Sequence, residues 1–418
     1  MISKVVKRIR INHNSMSKKL IHLYLILYLL YQVSGIAYPN SFLTTSISFF
    51  ILTLSIFFFV KVWSSTKPKF AFVKAWTFFL ILNIFSLLII NETEIYKYVN
   101  FKLISIIKIV FMVNLGFYVF YFAGRKNLIG DLDIIKYFIF LYVINLIQYY
   151  QASNFINSDG LNLQINDIYG IVYLLPIIVL LKRNFSIILL LLNIYLVLFS
   201  LKRGAFITFS FISLVFILYA FKIWQNRTKA IGFIVLVGFL LTSGFLILEL
   251  LKSDSASFER FSALEYDNGS GRMEIYDQLL DVILKRDGLF EVLFGSGFTG
   301  SIQNAENLAH NEFLEILINL GIIGVMTLVL MLYFLYKISK IKINLEKSSN
   351  INSYKLGVLL VFIIWVIDGS FHRFYNGLYT LPTIICLGYF VGKIENGYYK
   401  ISTYKLNHGV SAPKMQTV

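Results

Sequence analysis

The chain reads as an all-α, polytopic membrane protein with about twelve transmembrane helices, and three observations carry that reading. Of its 418 residues, 57% are apolar and only 14% are charged, whereas soluble domains carry about 25% charged residues. Apolar runs of roughly 20 residues, the length that crosses a hydrocarbon core about 30 Å thick, recur from end to end. Lys and Arg collect in the gaps between those runs. Membrane strands would be runs of about 10 alternating residues, so helices that satisfy their own backbone hydrogen bonds are the structure expected here.

The elements follow in order. The first run, 20–38, is preceded by Lys4, Lys7, Arg8, Arg10, Lys18 and Lys19, as a signal peptide would be. It is long and has no clear small-x-small cleavage site, so it reads as a retained first span. Runs at 41–61 and 70–90 flank a gap holding Lys67 and Lys69. Runs at 102–123 and 134–150 contain Lys108 and Lys136. A loop at 151–166 is rich in Asn, Gln and Asp, a composition suited to hydroxylated ligands and equally to plain solvation. Further spans are read at 167–181, 185–201, 205–221 and 230–251, then at 312–336, 355–371 and 375–392. Between the ninth and tenth lies one long extramembrane stretch, 252–311, and with it the whole of 1–418 is a single transmembrane domain.

The net charge of +16 is explained by the excess of Lys and Arg in cytoplasmic loops rather than by nucleic acid. With the N-terminus inside, basic and basic-poor gaps alternate through the chain, which predicts both termini in the cytoplasm and the 252–311 loop on the outer face. The single cysteine, Cys386, lies in the last apolar run. Disulfides and thiolate metal sites are thereby excluded.

Function is expected where the chain departs from helix and short loop. Gly269 to Lys285 places Tyr276, Leu279, Leu280, Ile283 and Leu284 on one helical face, with Glu274, Asp277, Asp281 and Lys285 elsewhere. This is an amphipathic helix suited to the membrane surface. Arg272 falls in its first turn, where free N–H groups and the helix dipole favour an anion; a cation there is misplaced unless an anion comes to it or the side chain is simply solvated. Arg203 stands in a turn on the face that otherwise avoids positive charge, with Gly204 beside it. Its planar fork suits phosphate oxygens, and snorkelling to the headgroups is the plain alternative. His310, Asn311 and Glu315 come at the mouth of the tenth span, Asn311 with a ready role as an N-cap. Asp368, His372 and Arg373 sit at the outer end of the eleventh, where charge is costly unless paired or wet.

Taken in order, Arg203-Gly204, Gly271-Arg272, Gly295-x-Gly297, His310-Asn311-x-x-Leu314-Glu315 and Gly321-x-x-Gly324 resemble the O-antigen polymerase and O-antigen ligase superfamily over roughly residues 165–335. Tyr276 stands where such proteins often have Trp. The resemblance implies a bacterial cytoplasmic-membrane enzyme with its active site on the extracytoplasmic face. Its donor and acceptor glycans would be carried on undecaprenyl diphosphate, without cofactor or metal ion. A polymerase of this kind moves the growing glycan onto a new repeat unit; a ligase moves the finished glycan onto a lipid A core. A chain-length regulator and a flippase are the expected protein partners, and the product is surface polysaccharide: O-antigen, capsule or exopolysaccharide.

That chemistry needs fixed cations for a diphosphate leaving group, and the resemblance assigns Arg203 and Arg272 to it. No Asp-x-Asp occurs in the outer loops, so arginines take the place of a metal. His310 is expected to position or deprotonate the acceptor hydroxyl, with Glu315 supporting or substituting. Substrate contacts are expected from Asn311, Arg373, His372 and Gly297. A transporter of lipid-linked glycan is the rival reading, since twelve spans with both ends inside is also a transporter layout. No second related half is visible, and the charged candidates sit at span ends rather than midway.

Overall fold

The structure, a computed structural model, describes residues 2–37, 41–89, 103–159, 167–200, 202–223, 272–298, 300–305, 311–341, 349–371 and 377–407. Every regular element among them is helical. They are α1 (Ile2–Ala37), α2 (Phe42–Ser65), α3 (Ala71–Leu88), α4 (Leu103–Arg125) and α5 (Asp131–Asp159). Then come α6 (Ile168–Val172), a 3-10 segment (Leu175–Leu180), α7 (Arg183–Phe199) and α8 (Arg203–Ile223). The chain continues with α9 (Arg272–Leu284), α10 (Leu289–Phe294), α11 (Gly300–Ala305), α12 (Glu312–Lys340), α13 (Ser349–Phe371) and α14 (Gly377–Asn407).

Among the described residues five helices are long and apolar enough to cross a membrane: Phe42–Ser65, Ala71–Leu88, Asp131–Ser153, Glu312–Lys340 and Ile351–Gly369. These coincide with the second, third, fifth, tenth and eleventh expected spans. The ninth, 230–251, lies outside the described residues. The sixth differs from expectation in being discontinuous: 167–181 is a short α-helix followed by a 3-10 turn rather than one continuous helix. Pro176 begins the turn, where it has no N–H to continue an α-helical ladder, and the segment is buried almost throughout. The polar loop expected from 151 is helical through Asp159 as the end of α5.

Local chemistry sets several ends. Ser41 caps α2, its Oγ accepting from the Thr44 N–H at 3.1 Å. After α4, Asn127 adopts φ 52°. The Leu128 N–H then reaches the Ala123 carbonyl and the Asn127 N–H reaches that of Gly124, the paired bonds of a Schellman stop.

Among the described residues the helices enclose a large apolar core rich in Trp, Tyr and Phe, with a smaller cluster beside it. The tightest seam of the large core joins α4 and α14. A Cβ on Gly388 would stand 2.5 Å from the Phe117 carbonyl oxygen, and one on Gly392 would stand 2.3 Å from that of Tyr121. This Gly-x-x-x-Gly pair therefore lets two backbones touch, the device by which helices pack where lipid supplies no hydrophobic drive. From α4, Gly124 makes the reciprocal approach to the Tyr389 carbonyl.

Both ends of α3 are tied down, and they orient the bundle. Beside its start, the Lys69 N–H donates to Glu395 Oε1 at 3.0 Å. That carboxylate also pairs with Arg125 at 3.3 Å and accepts from the Tyr121 hydroxyl at 2.6 Å. Close by along α4 and α14, Asp131 accepts from the hydroxyls of Tyr354 and Tyr389. At the far end of α3, about 27 Å away for an 18-residue helix, the Ser86 carbonyl accepts from the Phe298 N–H. The charged network and the Ser86–Phe298 contact thus occupy opposite ends of α3.

Candidate functional site

The region at the far end of α3 is organised by a break in α12. Gly321 has φ 64° and ψ −163°, outside helical geometry, in the left-handed half of φ space that glycine enters without steric cost. Glu312 and Leu332 line one crevice together with Phe79, Phe313, Ile316 and Trp365. A straight helix would hold residues this far apart in sequence about 30 Å from each other. The first part of α12, up to Leu320, therefore folds back against the remainder. The tenth span, expected as one continuous helix over 312–336, is corrected to a short folded-back piece, called re-entrant below, followed by a longer apolar piece.

A second chain segment fills the break. A Cβ on Gly321 would stand 2.4 Å from the Leu293 carbonyl oxygen, and one on Gly295 would lie 2.5 Å from the Ile318 carbonyl oxygen. The turn after α10 thus lies directly on the break, Gly295 at φ 78° and Gly297 at φ 91°. Gly297 packs on the end of α3, where a Cβ would meet the Ser86 carbonyl oxygen at 3.3 Å. In this geometry Gly297 serves a close approach of backbones.

Asn311 caps the re-entrant piece, its Oδ1 accepting from the Leu314 N–H at 3.1 Å. One turn on, Glu315 is buried; its Oε2 accepts from the Ser301 hydroxyl at 2.7 Å and the Asn319 side-chain amide at 3.3 Å. The end of α13 closes this side: a Cβ on Gly369 would lie 3.6 Å from Cβ of Glu312. Asp368, 2% exposed, has one carboxylate oxygen with no hydrogen-bond partner among the described residues.

Arg203 and Arg272 are the first residues of α8 and α9, the end where unbonded N–H groups attract anions. Their side chains lie outside what is described, and so do His310, His372 and Arg373 entirely. Asn311 follows His310 in sequence. α8 packs on α13, and α9 on the re-entrant piece of α12.

The amphipathic helix appears as α9, with its faces rotated from the expected division. Leu279 is fully buried with Ile318, and Ile275, Tyr276, Ile283 and Leu314 pack around them. Leu280 and Leu284 face outward. α10 continues the layer, Phe290 and Phe294 packing edge-on against Phe85 of α3 at 6.1 and 5.4 Å.

Two groups were not singled out from sequence. Ser301 looks like a loop serine, and only the fold brings it to Glu315. Arg286, just past α9, donates to Ser296 Oγ and the Ile318 carbonyl at 2.9 Å each, and to the Leu317 carbonyl at 3.3 Å. Partial burial lowers its pKa and the nearby Glu291 opposes that; guanidinium remains a cation in proteins. The only sequence signal was another arginine in the 252–311 stretch.

A family model described as O-antigen ligase matches residues 188–329. The matched stretch begins in α7 and runs through α8, α9, the Gly295–Gly297 turn and the break at Gly321. It supports the O-antigen ligase and polymerase superfamily for this chain. No curated protein matches it.

Proposed function

Taking residues 188–329 as an O-antigen ligase domain, we propose that this protein polymerises lipid-diphosphate-linked oligosaccharide repeat units on the outer face of the bacterial cytoplasmic membrane. The observation that carries the reading is the placement, within that matched stretch, of Arg203 and Arg272 at the first positions of two helices. Helix N-termini and guanidinium groups favour the same ligand, an anion with several oxygens. The full layout is twelve spans with both termini inside and undecaprenyl diphosphate as the carrier.

In the reaction the acceptor hydroxyl oxygen attacks the anomeric carbon of the donor. The bond from that carbon to the diphosphate oxygen breaks, and the lipid diphosphate leaves with the electron pair. Arg203 and Arg272 stabilise the charge it gathers. His310, one residue before the Asn311 cap, takes the proton from the acceptor hydroxyl. Glu315 is held by Ser301 and Asn319, which supports a role in holding the rim rather than in carrying the proton. Asn311, His372, Arg373 and Gly297 complete the rim that contacts the glycans.

The exposed Leu280, Leu284, Leu289 and Phe290 form an apolar surface on the α9–α10 layer. It continues the outward stripe of Phe78, Ile81, Ile84 and Leu88 on α3, a placement that suits the outer boundary of the bilayer, where lipid diphosphates lie.

The family description names a ligase, which favours transfer of the finished glycan to lipid A core as the second reading. A deletion strain separates them. Loss of a polymerase leaves single repeat units; loss of a ligase leaves long polymer stranded on its carrier; unchanged glycan removes both. Arg203→Ala, Arg272→Ala and His310→Ala are each expected to abolish polymer while the protein accumulates. Loss of one preorganised donor to developing charge costs about 10²–10³ in rate. Normal chain length in all three variants would remove the proposed site.

A further inference from the structure

We propose that Arg286 is a positioning residue for this site: its guanidinium locks the re-entrant piece of α12 and thereby sets where the segment ending at Asn311 stands. The proposal rests on the glycosyltransfer reading above for its consequence, and on geometry alone for the lock.

A helix broken at Gly321 leaves the carbonyls just before the break without their ordinary i+4 donors. Those of Leu317 and Ile318 are two of these, and Arg286 donates to both. The Ile318 oxygen also accepts from the Ser296 N–H at 2.8 Å, and Arg286 reaches the hydroxyl of the same Ser296. One side chain therefore joins three segments: the end of α9, the Gly295–Gly297 turn and the broken helix. Lysine could not reproduce this, because it presents a point charge rather than a planar fork that can span two carbonyls and a hydroxyl. The close passage of Gly295 and Gly321 leaves the break little room to adjust; once the fork is lost, the Leu317 carbonyl must find another donor and the Ile318 carbonyl keeps the Ser296 N–H, so the piece is held less tightly.

The direction of the lock matters for function. The re-entrant piece carries Asn311 as its cap and Glu315 one turn on, and its other side abuts Gly369 at the end of α13. A shift at Ile318 is transmitted along this short rigid element to its start. The terminal nitrogens of Arg286 bond two protein carbonyls and Ser296, while its Nε has no partner among the described residues.

The test uses the full-length protein in lipid nanodiscs, as wild type, Arg286→Ala, Arg286→Lys and Ser296→Ala. Hydrogen–deuterium exchange over residues 293–321 is expected to rise at least about tenfold in Arg286→Ala, the least that losing hydrogen bonds to a charged group should produce. Arg286→Lys should rise nearly as much and Ser296→Ala less, with exchange in α4 and α14 unchanged in all. With a lipid-diphosphate-linked repeat unit, turnover should fall about 10- to 100-fold, the scale of a displacement near 1 Å, while the donor KM stays within about twofold. Unchanged exchange in Arg286→Ala and Arg286→Lys overturns the lock. Raised exchange with normal turnover overturns the positioning role. A raised donor KM at normal turnover overturns it too, making Arg286 a substrate ligand. If Arg286→Ala does not fold, Arg286→Lys and Ser296→Ala decide by the same readings. A wild type that transfers no glycan fails the enzymatic reading and the positioning role with it, while exchange still judges the lock.

Discussion

Glu315 and Glu395 are both buried carboxylates, and their surroundings assign them different work. Glu395 is fully buried and pairs with Arg125, itself 7% exposed. Removing one partner strands a buried charge, a loss of about 3–5 kcal/mol. Glu395→Ala should therefore lower the thermal melting point in detergent sharply, and Arg125→Met with Glu395→Leu should recover much of it; equal melting of the single variant and wild type would contradict the pairing. Glu315 accepts from the Ser301 hydroxyl and the Asn319 amide among the described residues. Glu315→Gln keeps an acceptor for Ser301, so polymer formation should drop less than about tenfold, within the net worth of an ordinary hydrogen bond; a loss as complete as that of His310→Ala would make the charge itself essential. Gly321→Ala combines a backbone at φ 64° and ψ −163°, a region essentially confined to glycine that costs about 1–3 kcal/mol, with a clash on the Leu293 carbonyl. Reduced accumulation on immunoblots is the expected outcome.

Among elements, α9 and the α4–α14 seam make the sharpest claims. The buried face of α9 meets the re-entrant piece through Leu279 and Ile318. Leu279→Asp puts a charge into that contact and should undock α9, freeing the half-buried Arg286 to trypsin, while Leu284→Asp, on the outward face, should leave cleavage there near wild type. Equal cleavage in the two variants would mean that α9 does not dock. At the seam, Gly392→Leu forces apart backbones that now touch. Overpacking costs about 1–3 kcal/mol in a soluble core, and here no void receives the side chain. The folded fraction on size-exclusion chromatography should fall, and a symmetric wild-type peak would dismiss the seam as a tight contact.

For the whole molecule, the two ends of α3 divide a structural network from a candidate site. Lys69, Arg125 and Glu395 meet at one end, and Ser86 meets Phe298 at the other. Single cysteines at 127 and 203, in a background with Cys386 replaced by Ser, should therefore label from opposite sides of the membrane, 203 from outside. Labelling of both from one side would undo the topology. Labelling of 203 from the cytoplasm alone would remove the outward site.

Helical class, membrane character and the places of five long apolar helices were legible from sequence because they depend on composition and period, which each segment expresses by itself. Asn311 as a cap and α9 as an amphipathic helix were legible for the same reason: a cap and a periodic face are local. The break at Gly321 was not, since a glycine in an apolar run is ordinary and only the backbone of Gly295 lying across it makes a break stable. Ser301 on Glu315, Arg286 on the Leu317 and Ile318 carbonyls, and Gly388 and Gly392 against α4 were equally hidden. Each joins residues far apart in the chain, and a buried polar or close-packed contact has no signature until its partner is known. The sequence alone determined that the chain lives in a bilayer, where each long segment must satisfy its own backbone. Tertiary structure decided which helix could break, because its freed carbonyls needed donors that only another segment could bring.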